Sequence, residues 1–122
     1  MNAQSDKSLK DKPLSELLPL SPYVFQILVA LAGGAKHGYG IMTDVRERTQ
    51  GAVRIGTGTL YTAIKRLLEQ GWIEEVGEGA ENRREYRLTD LGHAVARAEA
   101  SRLETMLELA RERKLLDRGS AV

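Results

Sequence analysis

Apolar residues recur at helical spacing after the first twenty positions of the chain. The pattern predicts a first helix that buries one stripe, formed by Val24, Ile27, Leu28 and Leu31. Ser21 followed by Pro22 is typical of a helix start, and the glycine pair at 33–34 predicts where this helix ends.

Two further helices are predicted between residues 38 and 71. The earlier one runs from about Gly38 to Thr49 and buries Ile41, Met42 and Val45. The later one opens in the stretch "GTGTLYTAIKRL" at 56–67, with Thr59 as its candidate N-cap and Gly71 as its C-terminal stop. Its buried face is predicted to consist of Leu60, Ile64, Leu67 and Leu68.

The periodicity then changes to that of β-strands. "WIEEV" and "REYRL" are short β-favourable segments on either side of a glycine-containing turn, which predicts a hairpin. Thr89 is the candidate cap of a long last helix that Gly119 ends. Three short helices, a hairpin and one long helix, in this order, predict a mainly α winged helix-turn-helix with a small β-hairpin.

These boundaries predict four segments: a mobile tail at 1–13, the winged helix-turn-helix domain at 14–88, the C-terminal helix at 89–118 and a tail at 119–122. At about 1.5 Å per residue the last helix would extend roughly 40 Å, farther than so small a domain can cover. Its apolar strip therefore predicts a homodimer interface, for which the candidates are Leu103, Met106, Leu107 and Ala110.

Composition narrows the classes of function. Hydrophobic residues make up 42% of the chain and charged residues 29%, which is ordinary for a globular protein. The longest apolar run is too short to cross a membrane and no secretory pattern opens the chain, so we expect a cytoplasmic location. There are no cysteines, and the two histidines, His37 and His93, lie on different predicted elements. We therefore expect no enzymatic activity, no metal site and no cofactor.

The net charge of +1 conceals a local excess of positive charge. From Lys36 to Arg66 there are six Lys/Arg against two acidic residues, a net charge of +4, whereas residues 67–88 carry three Arg and six Glu, a net charge of −3. One basic segment in an otherwise neutral chain favours an anionic partner, although a solvated helix face is the alternative interpretation.

The glycine-rich start of the third helix allows three interpretations. A nucleotide-binding loop would need a Gly-Lys-Ser/Thr motif, or a third glycine after a strand, and the sequence has neither. A simple turn accounts for the glycines but not for the face opposite the leucines, which carries Thr59, Thr62, Lys65 and Arg66. Hydroxyls at the start of a helix and cations further along it are typical of a helix that enters the major groove of double-stranded DNA.

Three segments together resemble the signature blocks of the PadR-like transcriptional regulators: "HGYGI" at 37–41, "GTLYTAIKRLLEQGWIEE" at 58–75 and "RREYRLTDLG" at 83–92. The resemblance covers roughly residues 20–118 and points to the short subfamily with a single C-terminal helix. It implies a homodimeric repressor that binds a palindromic operator. In some relatives a small aromatic or drug-like effector at the dimer interface releases the DNA.

The resemblance also implies functional residues. It places the "HGY" block near the DNA backbone, makes Thr59 and Tyr61 candidate phosphate contacts and puts a basic pair in the wing. With the outward face of the third helix, the DNA-binding candidates are His37, Tyr39, Thr57, Thr59, Tyr61, Thr62, Lys65, Arg66, Arg83 and Arg84. Thr62 departs from the family, which often has proline there, and Glu85 replaces a common aromatic residue and makes the wing less cationic.

Three aromatic residues are candidates for an effector site. Core packing is the favoured role of Tyr23, Phe25 and Trp72, and the alternative is that they line a small-molecule cavity. Two other functions stay open at this stage: a winged-helix module that binds a protein partner without specific DNA binding, which the acidic wing suggests, and a ligand sensor that no longer binds DNA.

Overall fold

Residues 13–78 and 84–117 are described by a computed structural model of the chain. The elements follow the predicted order: α1 (Leu14–Leu17), α2 (Pro22–Ala32), β1 (Lys36–His37), α3 (Gly38–Arg48), α4 (Thr57–Gln70), β2 (Ile73–Glu78), β3 (Arg84–Leu88) and α5 (Asp90–Glu112). The predicted winged helix-turn-helix with a long C-terminal helix is confirmed.

The sheet contains one strand more than the predicted hairpin. Strands β2 and β3 pair antiparallel, and β1 adds to the other edge of β3, so that the order is β1-β3-β2. In this third strand Lys36 lies opposite Tyr86 and His37 opposite Glu85. A strand of two residues is too short to show an alternating pattern, which is why the sequence did not reveal it.

One hydrophobic core joins the helices to the sheet. The predicted apolar stripes of α2, α3 and α4 supply most of it, and β2, β3 and α5 close it with Trp72, Ile73, Tyr86 and Val95. Beyond the core, the C-terminal half of α5 leaves Met106, Leu107 and Leu109 exposed. No helix within the described ranges is long and apolar enough to cross a membrane.

Two predicted helix boundaries were wrong. Helix α4 begins at Thr57, and its N-cap is Gly56, three residues before the expected cap Thr59. Thr59 itself already lies within the first turn of the helix. Helix α5 ends at Glu112 rather than at Gly119, which lies outside the described residues. Lys114 takes a φ of 65° and the Leu115 N–H donates to the Ala110 carbonyl at 2.8 Å, which closes the last turn.

The end of α4 and the start of α5 meet at one junction. Gly71 ends α4 with a φ of 79°, and the Thr89 hydroxyl donates to its carbonyl at 2.6 Å. The same hydroxyl accepts the Gly92 N–H at 3.0 Å as the N-cap of α5. A Cβ atom at Gly92 would overlap the carbonyl oxygen of Trp72, so the backbones approach closely only because this residue is glycine.

A buried carboxylate ties α5 to the segment before α2. Glu99 is 2% exposed and receives two hydrogen bonds from Arg102, at 2.8 and 2.9 Å. Its Oε2 also accepts the Leu20 N–H at 3.4 Å. The hydrogen bonds from Arg102 hold the pKa of the Glu99 carboxyl below its usual value, against the opposing effect of burial. The ionised form therefore stabilises the fold.

We expect Glu99→Gln to cost about 1–3 kcal/mol of stability at neutral pH, because it weakens charge-assisted hydrogen bonds at a buried site. A carboxyl with a lowered folded pKa stabilises fully above its unfolded pKa of about 4.3 and loses this effect as the pH falls through the folded value. The stability gap between wild type and variant should therefore narrow below about pH 4. Urea denaturation from pH 7 to 3 measures it, with Glu104→Gln as the exposed control on the same helix. A gap that is constant with pH would show that Glu99 acts only through packing.

Candidate nucleic-acid interface

Helix α4 separates its apolar and polar residues onto opposite faces. Leu60, Ile64 and Leu67 are buried, and the outward positions predicted from the helical wheel are exposed: Thr59, Thr62, Lys65 and Arg66. No side chain caps the first turn at Gly56, and Thr57 is exposed as its first residue. The unpaired N–H groups of this turn, together with the positive end of the helix dipole, suit a phosphate oxygen.

A turn stabilised by Thr49 sets the angle between α3 and α4. The Thr49 hydroxyl donates to the Val45 carbonyl at 2.8 Å and accepts the Val53 N–H at 3.0 Å. Ile55 is buried in the core just before α4. The two helices of the helix-turn-helix are thus joined by a hydrogen-bonded turn with an apolar anchor.

The segment "HGYGI" at 37–41 and the segment that begins with "GTLY" at 58–61 are in contact where α3 begins. The His37 side chain caps α3 by accepting the Gly40 N–H at 3.2 Å, and its ring stacks on Tyr39 with 6.4 Å between centroids. A Cβ atom at Gly38 would overlap the hydroxyl and ring of Tyr61, which packs directly on this glycine. Tyr61 therefore fills the space that the missing side chain leaves, and the two helices approach each other there.

Beside this contact is a cavity of about 340 Å³ that opens between α3, α4 and the wing. It is lined by His37, Gly38, Tyr39, Tyr61, Arg84 and Tyr86. Burial is the main cause that raises the pKa of the Tyr86 hydroxyl, so this group stays neutral and can donate a hydrogen bond. Predicted DNA-binding residues from three elements are thus brought to one place.

The cations of the helix-turn-helix differ from those of the wing. Between residues 38 and 71, four exposed cations form no ion pair with any described residue: Arg46, Arg54, Lys65 and Arg66. In the wing, Arg84 pairs with Glu75 at 3.3 Å and Arg87 with Glu74 at 2.7 Å. Glu47 and Glu69 in the same segment are likewise exposed and form no ion pair with a described residue. The four cations outnumber them, so a net positive charge lies on α3, the turn and α4.

Arg46 and Arg54 were not among the site residues predicted from sequence, although both belong to the segment with the excess positive charge. They lie around a small cavity at the turn together with Tyr39 and Thr43. Arg83, predicted for the wing, lies outside the described residues. No group of acidic or histidine side chains within the described ranges could hold a metal ion.

The aromatic residues predicted for an effector site separate into two sets. Tyr23 and Trp72 line one groove between α2 and α4, whereas Phe25 is half-buried on α2 and does not line it. Trp72 is also part of the core, as predicted. Core packing was the wrong prediction for Tyr23, because its ring is 46% exposed.

Known proteins share the sequence pattern and the fold of this chain. Residues 27–98, from within α2 to within α5, match the model of the transcriptional regulator PadR-like family. The fold is similar to that of a transcriptional regulator from Clostridium thermocellum, with 29% identity and a TM-score of 0.64 over 73% of this chain and 89% of that one.

Two other solved structures are also similar. RosR from H. salinarum is 26% identical with a TM-score of 0.59, and the match covers 80% of this chain and 88% of that one. For a PadR family transcription regulator from Clostridium difficile the identity is 23% and the TM-score 0.62, over 74% and 96% of the two chains. No curated protein matches the sequence.

The contact between Gly38 and Tyr61 can be tested with two alanine substitutions in the first turn of α3. We expect Gly38→Ala to displace the Tyr61 ring. Because this ring is 46% exposed and can turn towards solvent, the cost should be about 1 kcal/mol, the low end of what overpacking costs. Gly40→Ala is the matched control, because a Cβ there meets Lys36 and His37 atoms only at ordinary contact distances of 3.5–3.8 Å. Chemical denaturation measures both. The cost of Gly38→Ala should shrink in a Tyr61→Ala background, and an unchanged cost would mean that the ring is not the obstacle.

Proposed function

Because this chain belongs to the PadR-like family of transcriptional regulators, we propose that it binds double-stranded operator DNA as a homodimer and represses transcription. Helix α4 enters the major groove, and two copies of the chain read the two halves of a palindromic site. Binding to genomic DNA requires the cytoplasmic location expected from the sequence.

The observation that carries the proposal is the set of four exposed helix-turn-helix cations that have no ion-pair partner in the described segments: Arg46, Arg54, Lys65 and Arg66. A protein that neutralises phosphates with such cations releases counterions from the DNA, and this release drives much of the affinity. The wing arginines are engaged by Glu74 and Glu75, so the wing contributes less. The charge distribution supports a DNA face centred on the helix-turn-helix.

The proposed contacts follow from the position of each residue. The uncapped first turn of α4, with the hydroxyls of Thr57 and Thr59, faces the backbone, and Thr62 and Lys65 lie on the outward face that would read base edges. The ring of Tyr61 and the "HGY" turn at 37–39 contact a flanking phosphate. Thr62 contributes a hydroxyl where relatives often have proline, so the operator sequence is expected to be this protein's own.

Dimerisation is proposed through α5. Its 23 residues span about 35 Å at ~1.5 Å per residue. Residues 103–112 of this helix are exposed or half-buried, and none of them belongs to the hydrophobic core. Met106 and Leu107 are 51% and 48% exposed, and Leu103 and Ala110 flank them on the same strip at helical spacing. A second copy that packs along this strip would bury it and set the spacing of the two α4 helices.

We expect Lys65→Ala and Arg66→Ala each to weaken operator binding without unfolding the protein, because both side chains are exposed. For each phosphate that the variant no longer neutralises, the slope of log affinity against log salt should fall by about 1. Gel-shift titrations of the protein's own upstream DNA at several salt concentrations provide the measurement.

Arg87→Ala is the control, because Glu74 already pairs with that arginine on the wing. It should change the affinity and the salt slope less than either α4 substitution does. Equal affinity for upstream and random DNA at physiological salt would contradict the repressor proposal and favour a protein-binding module.

Leu107→Glu should shift the chain towards monomer and raise the dimer dissociation constant at least about tenfold, because it places a charge in an apolar interface. Thr105→Glu adds the same charge to an exposed position on the opposite side of α5 and should leave the dimer intact. Analytical ultracentrifugation measures both. A wild-type monomer at micromolar concentration would refute the α5 interface.

A further inference from the structure

A small cavity lies between α3 and the turn that leads into α4. It is lined by Tyr39, Met42, Thr43 and Arg46 on one face of α3 and by Arg54 and Ile55 in the turn. Its volume is about 100 Å³, below the range of about 300–1,000 Å³ that sites for drug-sized molecules occupy. The space therefore suits one small group.

Two arginine side chains border this cavity. Arg46 and Arg54 are exposed, and neither forms an ion pair with any described residue. The Arg54 side chain lies over the turn, since a Cβ atom at Gly51 would be 3.6 Å from one of its guanidinium nitrogens. Glu47 follows Arg46 in the chain but does not line the cavity. Two guanidinium groups beside one small space are suited to a phosphate or sulfate.

A buried hydroxyl on α3 is a second, independent feature of the cavity. Thr43 lines it, and the Oγ1 atom of this residue is buried without a hydrogen-bond partner among the described residues. A threonine hydroxyl within a helix can donate to the carbonyl one turn earlier, and this one does not. A buried donor that is left unpaired carries a desolvation cost, which an acceptor oxygen in the cavity would remove.

The position of the cavity fits the backbone of DNA in the proposed complex. In helix-turn-helix proteins the helix that precedes the recognition helix crosses the DNA backbone. Ile55, in the lining, is two residues before Thr57, where the uncapped first turn of α4 begins. Tyr39 borders both this cavity and the one beside Tyr61, so the two cavities are neighbours along α3.

We propose that this cavity is a phosphate site in which Arg46, Arg54 and the Thr43 hydroxyl hold one phosphate group together. The inference rests on the proposed function for the source of that group, a backbone phosphate of the operator. Inorganic phosphate binds through the same contacts. The two arginines thus act on a single phosphate and not as separate charges on the DNA face.

Inorganic phosphate tests the site in the absence of DNA. At equal ionic strength, phosphate should raise the Tm of the wild-type protein a few degrees more than sodium chloride does, because it binds the folded form. Phosphate also stabilises proteins in general, so the comparison between variants decides. Arg54→Gln and Thr43→Val should each lower the increment to this general effect. Thr43→Val should not lower the Tm in chloride, since the hydroxyl it removes has no partner.

Arg48→Gln is the matched control on the same helix. Arg48 pairs with Asp44 at 2.7 Å and does not line the cavity, so this variant should keep the full increment in phosphate.

Operator DNA tests whether the two arginines share one phosphate. If they do, the double variant Arg46→Gln/Arg54→Gln should lower the slope of log affinity against log salt by about 1 per half-site, whereas two separate phosphates would give about 2. Operators that carry one uncharged methylphosphonate at each backbone position in turn should reveal one position per half-site that weakens wild-type binding at least about fivefold. The double variant should be insensitive to that same substitution.

The outcomes separate this site from the repressor proposal. A phosphate increment that is equal in wild type, Arg54→Gln and Thr43→Val would overturn the site even if the operator is bound, and so would a slope that falls by about 2. A variant-dependent increment without a sensitive methylphosphonate position would uphold the site and assign it to free phosphate. The same increment without any operator binding would uphold the site and refute the repressor.

Discussion

The arrangement of the domain depends on the close approach between Gly92 and the carbonyl of Trp72. At this point α4 has just ended, β2 is about to begin, β3 has just ended and α5 starts. The Thr89 hydroxyl joins the two chain segments by donating to Gly71 and accepting from Gly92. Any side chain at position 92 would push α5 away from the end of α4. The two ends of the β2–β3 hairpin, which connects these helices, would then no longer be held together. The last residue of the segment "RREYRLTDLG" must therefore be glycine for the two helices to pack.

The net charge of the chain does not show how differently its charges are distributed on the wing and on the helix-turn-helix. Acidic residues of β2 engage the wing arginines in cross-strand pairs, whereas the exposed cations Arg46, Arg54, Lys65 and Arg66 have no such partners in the described segments. Exposed ion pairs of this kind add little stability, but they cancel the charge that would attract a phosphate.

Sequence periodicity predicted α2, α3 and the buried face of α4 well, since the apolar spacing of an amphipathic helix can be recognised within a short stretch of sequence. It failed where local signals were weak or misleading. Thr59 has the chemistry of an N-cap, yet the backbone is helical from Thr57, and the two-residue strand β1 exists only because β3 offers it a partner. Tyr61, placed on the flank of α4 by the helical wheel, packs on Gly38 of the other helix. No single-helix pattern contains that contact.

The sequence by itself determined the helices and the hairpin, the outward face of α4 with Lys65 and Arg66, and the family, because these depend on residue order and spacing within short segments. Tertiary structure decided which charges remain uncompensated, since Glu74 and Glu75 meet Arg87 and Arg84 only across a strand pair. It also decided that Glu99 is a buried ionised group and that Tyr23, Arg66 and Trp72 border one groove. These features join residues far apart in the chain, and only packing brings such residues within reach of one another.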